Sequence, residues 1–365
     1  MIRADIAIVG AGMAGASLAA EVGGGGRRVA LIEAESRPGY HATGRSAAFW
    51  SETYGGPAVQ PLTTASGAYL WNGGFLRDRG ALHIADGEGA AELARMAAAF
   101  AGTGVALDPV DRAGLAAVLP GLAPGWDAGL AEPTCADIDV AALHADYLAR
   151  ARCAGTILLA DAAVQAMDRE QGGWRIETRA GPVLADIVVN AAGAWATDVA
   201  AMAGARRIAI TPFRRTMVQI AIDPPASADP PLVIDALGRF YFKPEAGGRL
   251  WLSPHDEVPS APCDAAPEEI DVAVAIDRFE RLGIGRVLAR EHAWAGLRSF
   301  APDRAPVYGF DDRAPGFFWF AGQGGFGIQT APAAAWLGAA LLTGGAVPDA
   351  VHAIDAERYS PARFG

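Results

Sequence analysis

Apolar positions along this chain fall into continuous runs at its two ends and an alternating pattern in its middle. Ile6-Ala7-Ile8-Val9 is a β-branched and small apolar run that ends in Gly10-Ala11-Gly12-Met13-Ala14-Gly15. Helix formers follow from Ala16 to Val22, and Gly23 to Gly26 stop the predicted helix. Arg28-Val29-Ala30-Leu31-Ile32-Glu33 is apolar without alternation, the mark of a strand buried on both faces in a parallel sheet. The chain therefore starts as strand, helix, strand.

After Tyr40 the texture changes. Thr43-Gly44-Arg45-Ser46 is turn-like, and the stretches that carry Phe49, Trp50, Tyr54, Tyr69 and Trp71 read as helical. Asp139 caps a predicted amphipathic helix from Val140 to Arg152. Strand character returns at 157–159, 174–178 and 186–189, and the last of these enters a second small-residue turn, Asn190-Ala191-Ala192-Gly193-Ala194-Trp195. Alternation from Ile208 to about Glu257, punctuated by Pro224-Pro225 and Pro230-Pro231, predicts antiparallel sheet. Pro267 to Leu288 reads as a helix, Phe317-Phe318-Trp319-Phe320 as a strand, Ala321 to Gly327 as a glycine-rich turn and Ile328 to Leu342 as a helix. This order predicts an α/β protein: a Rossmann-type domain from residues 1–78, 137–207 and 297–365, with a second α+β domain from 79–136 and 208–296.

Composition narrows the function classes. With 30 Lys+Arg against 41 Asp+Glu, the formal charge of -11 argues against binding duplex DNA or RNA, which rests on neutralising phosphates. Cys135, Cys153 and Cys263 are odd in number, scattered and without a C-x-x-C pair, so neither a disulfide framework nor a metal site is suggested. Arg3 and the apolar residues after it have the outline of a secretory signal, but glycines interrupt the stretch in a nucleotide-binding pattern, so cytoplasm is the expected compartment. The apolar run from Ala331 falls short of the ~20 residues that span a bilayer and reads as a buried helix, so no transmembrane segment is expected.

Gly10-x-Gly12-x-x-Gly15 between strand and helix, with Glu33 closing the next strand, is a dinucleotide fingerprint. The first glycine permits the tight turn, the second lets backbone approach a pyrophosphate, and the third lets helix and strand pack closely. Glu33 would take the ribose hydroxyls. NAD and FAD both fit. FAD is favoured by the two further small-residue turns and by Gly322-Gln323-Gly324-Gly325-Phe326-Gly327-Ile328-Gln329, which leads into a helix whose N-terminus would face the flavin's pyrimidine edge.

Together, Gly39-Tyr40-His41-Ala42-Thr43-Gly44-Arg45-Ser46-Ala47-Ala48, Ala136-Asp137-Ile138-Asp139, the Asn190 to Trp195 turn, Trp294-Ala295-Gly296-Leu297-Arg298-Ser299-Phe300 and the Gly324 to Gln329 turn resemble the D-amino acid oxidase superfamily of FAD-dependent amine oxidoreductases, the D-arginine dehydrogenases most of all. The resemblance implies noncovalent FAD, a substrate domain on a mixed, mostly antiparallel sheet, and oxidation of a D-amino acid by hydride transfer to flavin N5. The imine product would hydrolyse to a 2-oxo acid and ammonia. It places Arg298 and Arg215 on the substrate carboxylate, with Arg214 as a rival to the latter, and Tyr54 and Tyr241 around the pocket. It places Thr43, Gly44, Arg45, Ser46, Ala47, Ala192, Gly193, Trp195 and the turn Gly325, Gly327, Ile328 and Gln329 along the cofactor. The substrate would be a small carboxylate, and the electron acceptor oxygen or a quinone.

The chain departs from the D-arginine dehydrogenase pattern twice. Phe49 stands where that group has a histidine, and Gly80-Ala81-Leu82 stands where it has the glutamate that pairs with a guanidinium. A buried cationic side chain without its counter-charge is costly, so neutral or apolar D-amino acids are expected in place of arginine. Glutamate at Leu82 is the change that would restore the missing acid. The alternatives are a 2-hydroxy acid or N-methyl amino acid oxidoreductase, since two arginines hold any such carboxylate, or a flavin protein without turnover. His83 reads as structural. Lys243, the only lysine, would share a strand face with Tyr241, either approaching the site or lying exposed.

Overall fold

The computed structural model describes all residues but 25, 171, 228 and 229, so part of the Gly23 to Gly26 stop lies outside the described residues. Strand Ile2–Val9, helix Met13–Gly23 and strand Val29–Ile32 form the expected opening unit. The two strands pair in parallel, with Ile6 opposite Val29 and Val9 opposite Ile32. Both are buried on both faces. Ile6, Ile8, Val29 and Leu31 pack with helices Met13–Gly23, Val140–Cys153 and Ala331–Thr343, while Ala7, Val9, Ala30 and Ile32 join Val199 and Trp319 on the other side. Full burial of each large aliphatic side chain contributes roughly 1.5–3 kcal/mol, which explains the absence of polar alternation here.

This sheet has eight strands, and its central strand Val183–Asn190 runs parallel to Ile2–Val9. The opposite edge of that central strand is shared: its first half pairs antiparallel with Gly173–Thr178, its last residues parallel with Phe317–Ala321. A second sheet of ten strands is built around the long antiparallel pair Thr211–Asp223 and Arg286–Phe300. It extends through Arg249–Ser253, Tyr241–Glu245 and Leu232–Asp235, and its one parallel step joins Leu232–Asp235 to Ala81–Ala85. The mixed, mostly antiparallel character is as expected. A third sheet pairs Phe49–Trp50 and Leu76–Asp78 with Ala136–Ile138.

Three local readings need correction. The helix expected from Pro267 to Leu288 is Glu269–Glu280, and Arg286 already begins a strand; Gly283 at positive φ and Gly285 lie between. Phe49 and Trp50 are strand, the helix of this region being Gln60–Asn72. The last helix starts at Ala331, so the residues before it are turn. The expected division at 296–297 falls inside strand Arg286–Phe300, which pairs along its length with Thr211–Asp223. Among the described residues no helix is long and apolar enough to cross a membrane.

Candidate active site

A cleft of about 450 Å³ opens at the C-terminal ends of the parallel strands, where ligands bind in such sheets. Its walls include Gly10, Gly12, Glu33, Thr43, Ala192 and Gly193 at one end, and Ser46, Arg298, Gly325, Gly327 and Ile328 at the other. Arg45 and Trp195 also line it.

The three fingerprint glycines are required for different reasons. Gly10 has φ +101°, and a Cβ there would lie 2.4 Å from the Ala191 carbonyl oxygen. A Cβ on Gly15 would lie 1.8 Å from the Gly10 carbonyl oxygen, so the helix could not pack on the strand. At Gly12 a Cβ would meet, beyond its chain neighbours and among the described residues, Thr43 Oγ1 at 3.2 Å. Gly12 thus has more room than Gly10 or Gly15, and it faces the cleft. Gly44 is excluded from the cleft wall, its missing Cβ making room for the Gly39 carbonyl oxygen.

Around this turn, polar partners are in place. Glu33, 8% exposed, accepts from the Ala11 N–H at 2.9 Å and from the Glu35 N–H at 3.0 Å. Thr43 Oγ1 accepts from the Met13 N–H at 2.9 Å, satisfying a first-turn donor of the helix. Arg45 reaches the segment before helix Glu269–Glu280, donating to the Ala265 carbonyl at 2.8 Å and pairing with Asp264. Tyr40 also donates to Asp264, at 3.0 Å, so the segment with Cys263 and Ala265 is tied over one edge of the cleft.

A smaller cavity of about 20 Å³ adjoins the cleft, lined by Ala47, Phe49, Tyr54, Arg215, Tyr241 and Arg298 among others. Ser46, Arg298, Gly325 and Ile328 line both, so the two spaces adjoin along these residues. Strand register explains the paired arginines. Arg215 lies opposite Gly296 and Arg298 opposite Phe213, and a Cβ at Gly296 would lie 2.9 Å from Arg298 Nη1. Glycine at 296 is what allows the second guanidinium to fold over the first strand pair.

Arg298 is 6% exposed, its Nη1 has no partner among the described residues, and its Nη2 reaches only the Arg45 carbonyl at 3.4 Å. Burial, with Arg215 adding repulsion, pulls its pKa below the ordinary guanidinium value. A buried cation with an unpaired donor is an anion site by its chemistry. Burial opposes charge on Arg215 too, yet its pKa stays raised, with Glu257 and Asp256 among the groups that favour the cation. Arg214, the rival, is committed elsewhere, to Glu268 and Asp271.

Tyr241 donates to Met217 Sδ at 3.0 Å, and burial raises its pKa. His255 packs edge-on against its ring at 5.4 Å. Burial, then Arg215, lowers the His255 pKa to about 3, so its imidazole is neutral. Phe49 sits 5.3 Å from the Tyr54 ring and 6.1 Å from that of Tyr241, centroid to centroid.

Tyr54 is held from two sides. Glu132, fully buried, accepts from the hydroxyls of Ser51 at 2.9 Å and Thr53 at 2.7 Å and from the Glu52 N–H. Gln329 donates to the Ser51 and Tyr54 carbonyls, both at 3.1 Å, and accepts from the Ser51 N–H. Its amide is therefore spent on this loop, and Gln329 lines the smaller cavity and not the cleft. The helix after it is likewise set back: Gln323 to Gly325, Gly327 and Ile328 line the cleft, whereas Thr330 and Ala331 do not.

Two other expectations change. Lys243 is neither exposed nor in the cavity: it is 6% exposed, bound to Asp137 at 2.7 Å and over the Trp251 ring. Arg79 binds the same carboxylate at 2.8 Å. Leu82 is not in a loop beside the substrate but in strand Ala81–Ala85, packed with Leu115, Val233 and Phe242, so glutamate there would enter the core. The residues that sequence reasoning missed are Met217, His255, Glu257 and Glu132. Only Glu132 carried a signal, as the single acid of an otherwise apolar strand, Ala128–Glu132.

The profile of the family described as "FAD dependent oxidoreductase" matches residues 5–341. The chain belongs to this family. Its structure is similar to glycine oxidase from Geobacillus kaustophilus, at 25% identity and TM-score 0.84 over 99% of this chain and 98% of that one. It is also similar to L-proline dehydrogenase from P. horikoshii, at 24% identity and TM-score 0.86 over 100% and 98%. By sequence it is 34% identical to mouse mitochondrial dimethylglycine dehydrogenase over 128 residues, 34% of this chain and 15% of that protein. It is 28% identical over 98% of its length to the tRNA 5-methylaminomethyl-2-thiouridine biosynthesis bifunctional protein MnmC of Burkholderia multivorans, of which it covers 58%. The chain thus spans only part of these curated relatives. The cleft fits the family's cofactor: an open glycine turn, a helix start and a buried acid converge on it.

Proposed function

We propose that this FAD dependent oxidoreductase oxidises the carbon–nitrogen bond of a neutral or apolar D-amino acid, releasing an imine that water converts to the 2-oxo acid and ammonia. The observation that carries this reading is the buried, unpartnered Nη1 of Arg298 where the cleft meets the small cavity. Gly10, Gly12, Glu33 and Thr43 would hold the adenosine and pyrophosphate end of the cofactor, and Ser46, Gly325, Gly327 and Ile328 would line the place of its ring. FAD, when bound, supplies the two-electron acceptor.

The protein's part is orientation. Arg298 and Arg215 hold the carboxylate by planar donor forks, which aims the α-hydrogen. Phe49, Tyr54 and Tyr241 exclude water. Among the described residues no carboxylate or imidazole lines the small cavity, so the amine must arrive neutral or lose its proton before it is enclosed. Phe49, in the place of a histidine, offers no partner to a cationic side chain, and Glu257, the carboxylate that touches this lining, is already paired with Arg215 and Arg304.

A second reading, oxidation of glycine or an N-methylated glycine, is favoured by the cavity's size. At about 20 Å³ it holds little beyond a water-sized group, so a long side chain requires Phe49 or Tyr54 to move. Similarity to glycine oxidase and dimethylglycine dehydrogenase supports it. Anaerobic bleaching of the flavin by a panel of D- and L-amino acids, glycine, N-methylglycine and 2-hydroxy acids decides between them. Bleaching by none overturns both readings; reoxidation by oxygen or by a quinone then identifies the acceptor.

A further inference from the structure

The second guanidinium of the cavity already has a carboxylate. Arg215 Nη2 donates to Glu257 Oε1 at 3.0 Å, and the same oxygen accepts from Arg304 Nη2 at 2.8 Å. The three side chains form a ladder outward: Arg215 is 3% exposed, Glu257 34% and Arg304 50%. The backbone beneath Glu257 is fixed. The Asp256 carboxylate accepts from the Thr216 N–H at 2.6 Å and its hydroxyl at 3.0 Å, and the Asp256 carbonyl accepts from Arg215 Nε at 2.8 Å. Only the Glu257 side chain is free to change partners. Arg304 is braced to receive it, its guanidinium 3.9 Å over the Phe300 ring.

We infer that Glu257 is an internal competitor for the substrate carboxylate: it occupies Arg215 in the resting enzyme and moves wholly onto Arg304 when a carboxylate settles between Arg298 and Arg215. The inference rests on the carboxylate placement proposed above. Two anions on one buried guanidinium repel, so the arriving carboxylate gains the full donor fork only as Glu257 withdraws. Arg304 keeps the withdrawn charge paired, in a more exposed and weaker bridge. Glu257 thus sets the affinity for carboxylates, and Arg304 sets how readily it yields. Ion-pair partners are exchanged and no bond is made or broken.

Propanoate, a carboxylate with no oxidisable amine, tests this in the flavin-loaded enzyme, its Kd read from the perturbed flavin spectrum. Glu257→Gln is expected to tighten propanoate by about fivefold or more, because a charge-assisted competitor becomes a neutral one, and to lower KM in proportion. Arg304→Gln is expected to weaken propanoate binding, and to have no effect in the Glu257→Gln background. A merely loosened loop moves both single variants in the same direction. Unchanged or weaker binding in a flavin-retaining Glu257→Gln enzyme overturns the inference. Should that variant fail to hold flavin, tightened or unchanged binding in Arg304→Gln overturns it. A wild-type flavin insensitive to propanoate, together with Arg298→Ala leaving KM unchanged, overturns instead the placement of the carboxylate.

Discussion

The hydroxyl of Tyr54 fills the space that a side chain on Gly325 would need: a Cβ at 325 would lie 1.8 Å from it. Gly325 lines both the cleft and the small cavity, so this contact lies where the two spaces meet. Gly325→Ala forces the ring away while leaving the fingerprint turn untouched. Flavin retention is expected to persist and kcat/KM to fall on the order of tenfold or more, as for a misplaced pocket wall. Steady-state kinetics beside the 450 nm absorbance per protein checks both.

Arg298→Ala removes the unpaired donor. KM for every carboxylate substrate is expected to rise at least tenfold, about 1.4 kcal/mol or more for a lost charged hydrogen bond. Kinetics with two substrates of different side chain check it; a loss confined to one of them would mean that Arg298 reads the side chain.

Gly12 and Gly10 separate cofactor binding from folding. Beyond its chain neighbours and among the described residues, Gly12→Val meets only Thr43 Oγ1 within 4 Å of its Cβ, so the protein is expected to fold but to purify colourless. Gly10→Val adds a β-branched side chain at φ +101° against the Ala191 carbonyl, and is expected to cost several kcal/mol of stability. Far-UV circular dichroism and urea titration distinguish the two outcomes.

His255 makes stability pH-dependent. Its imidazole is neutral in the folded chain above a pKa of about 3, whereas an unfolded chain takes up the proton near 6.5. The unfolded state therefore binds more protons between these values, and stability falls as pH falls, at up to ~1.4 kcal/mol per unit. His255→Asn, which suits the φ of +55° there, is expected to lose about 2 kcal/mol less than wild type between pH 6.5 and 5. Urea titrations at the two pH values measure the difference.

The opening βαβ unit was legible because its signals are local. Gly10, Gly12, Gly15 and Glu33 stand at spacings set by one turn and one strand, and burial on both faces leaves a continuous apolar run. Local reading also erred where local cues conflict. Pro267 to Leu288 reads as one helix from its charged and apolar residues, yet glycines 283 and 285 divide it, and residues 286–300 are claimed by pairing with 211–223.

The sequence by itself determined the family and the glycine turn of the cleft, and it offered Arg298 within a motif of short range, whereas Arg215, Tyr54 and Tyr241 came only through the family resemblance. Only the tertiary structure decided which groups these candidates meet. That Glu257 holds Arg215, that Asp137 holds Lys243, that Leu82 faces the core and that Glu132 anchors the Tyr54 loop depend on strand register and sheet packing. Register is set by the sum of many apolar contacts between segments far apart in sequence, and a strand shifted by one residue presents the opposite set of side chains.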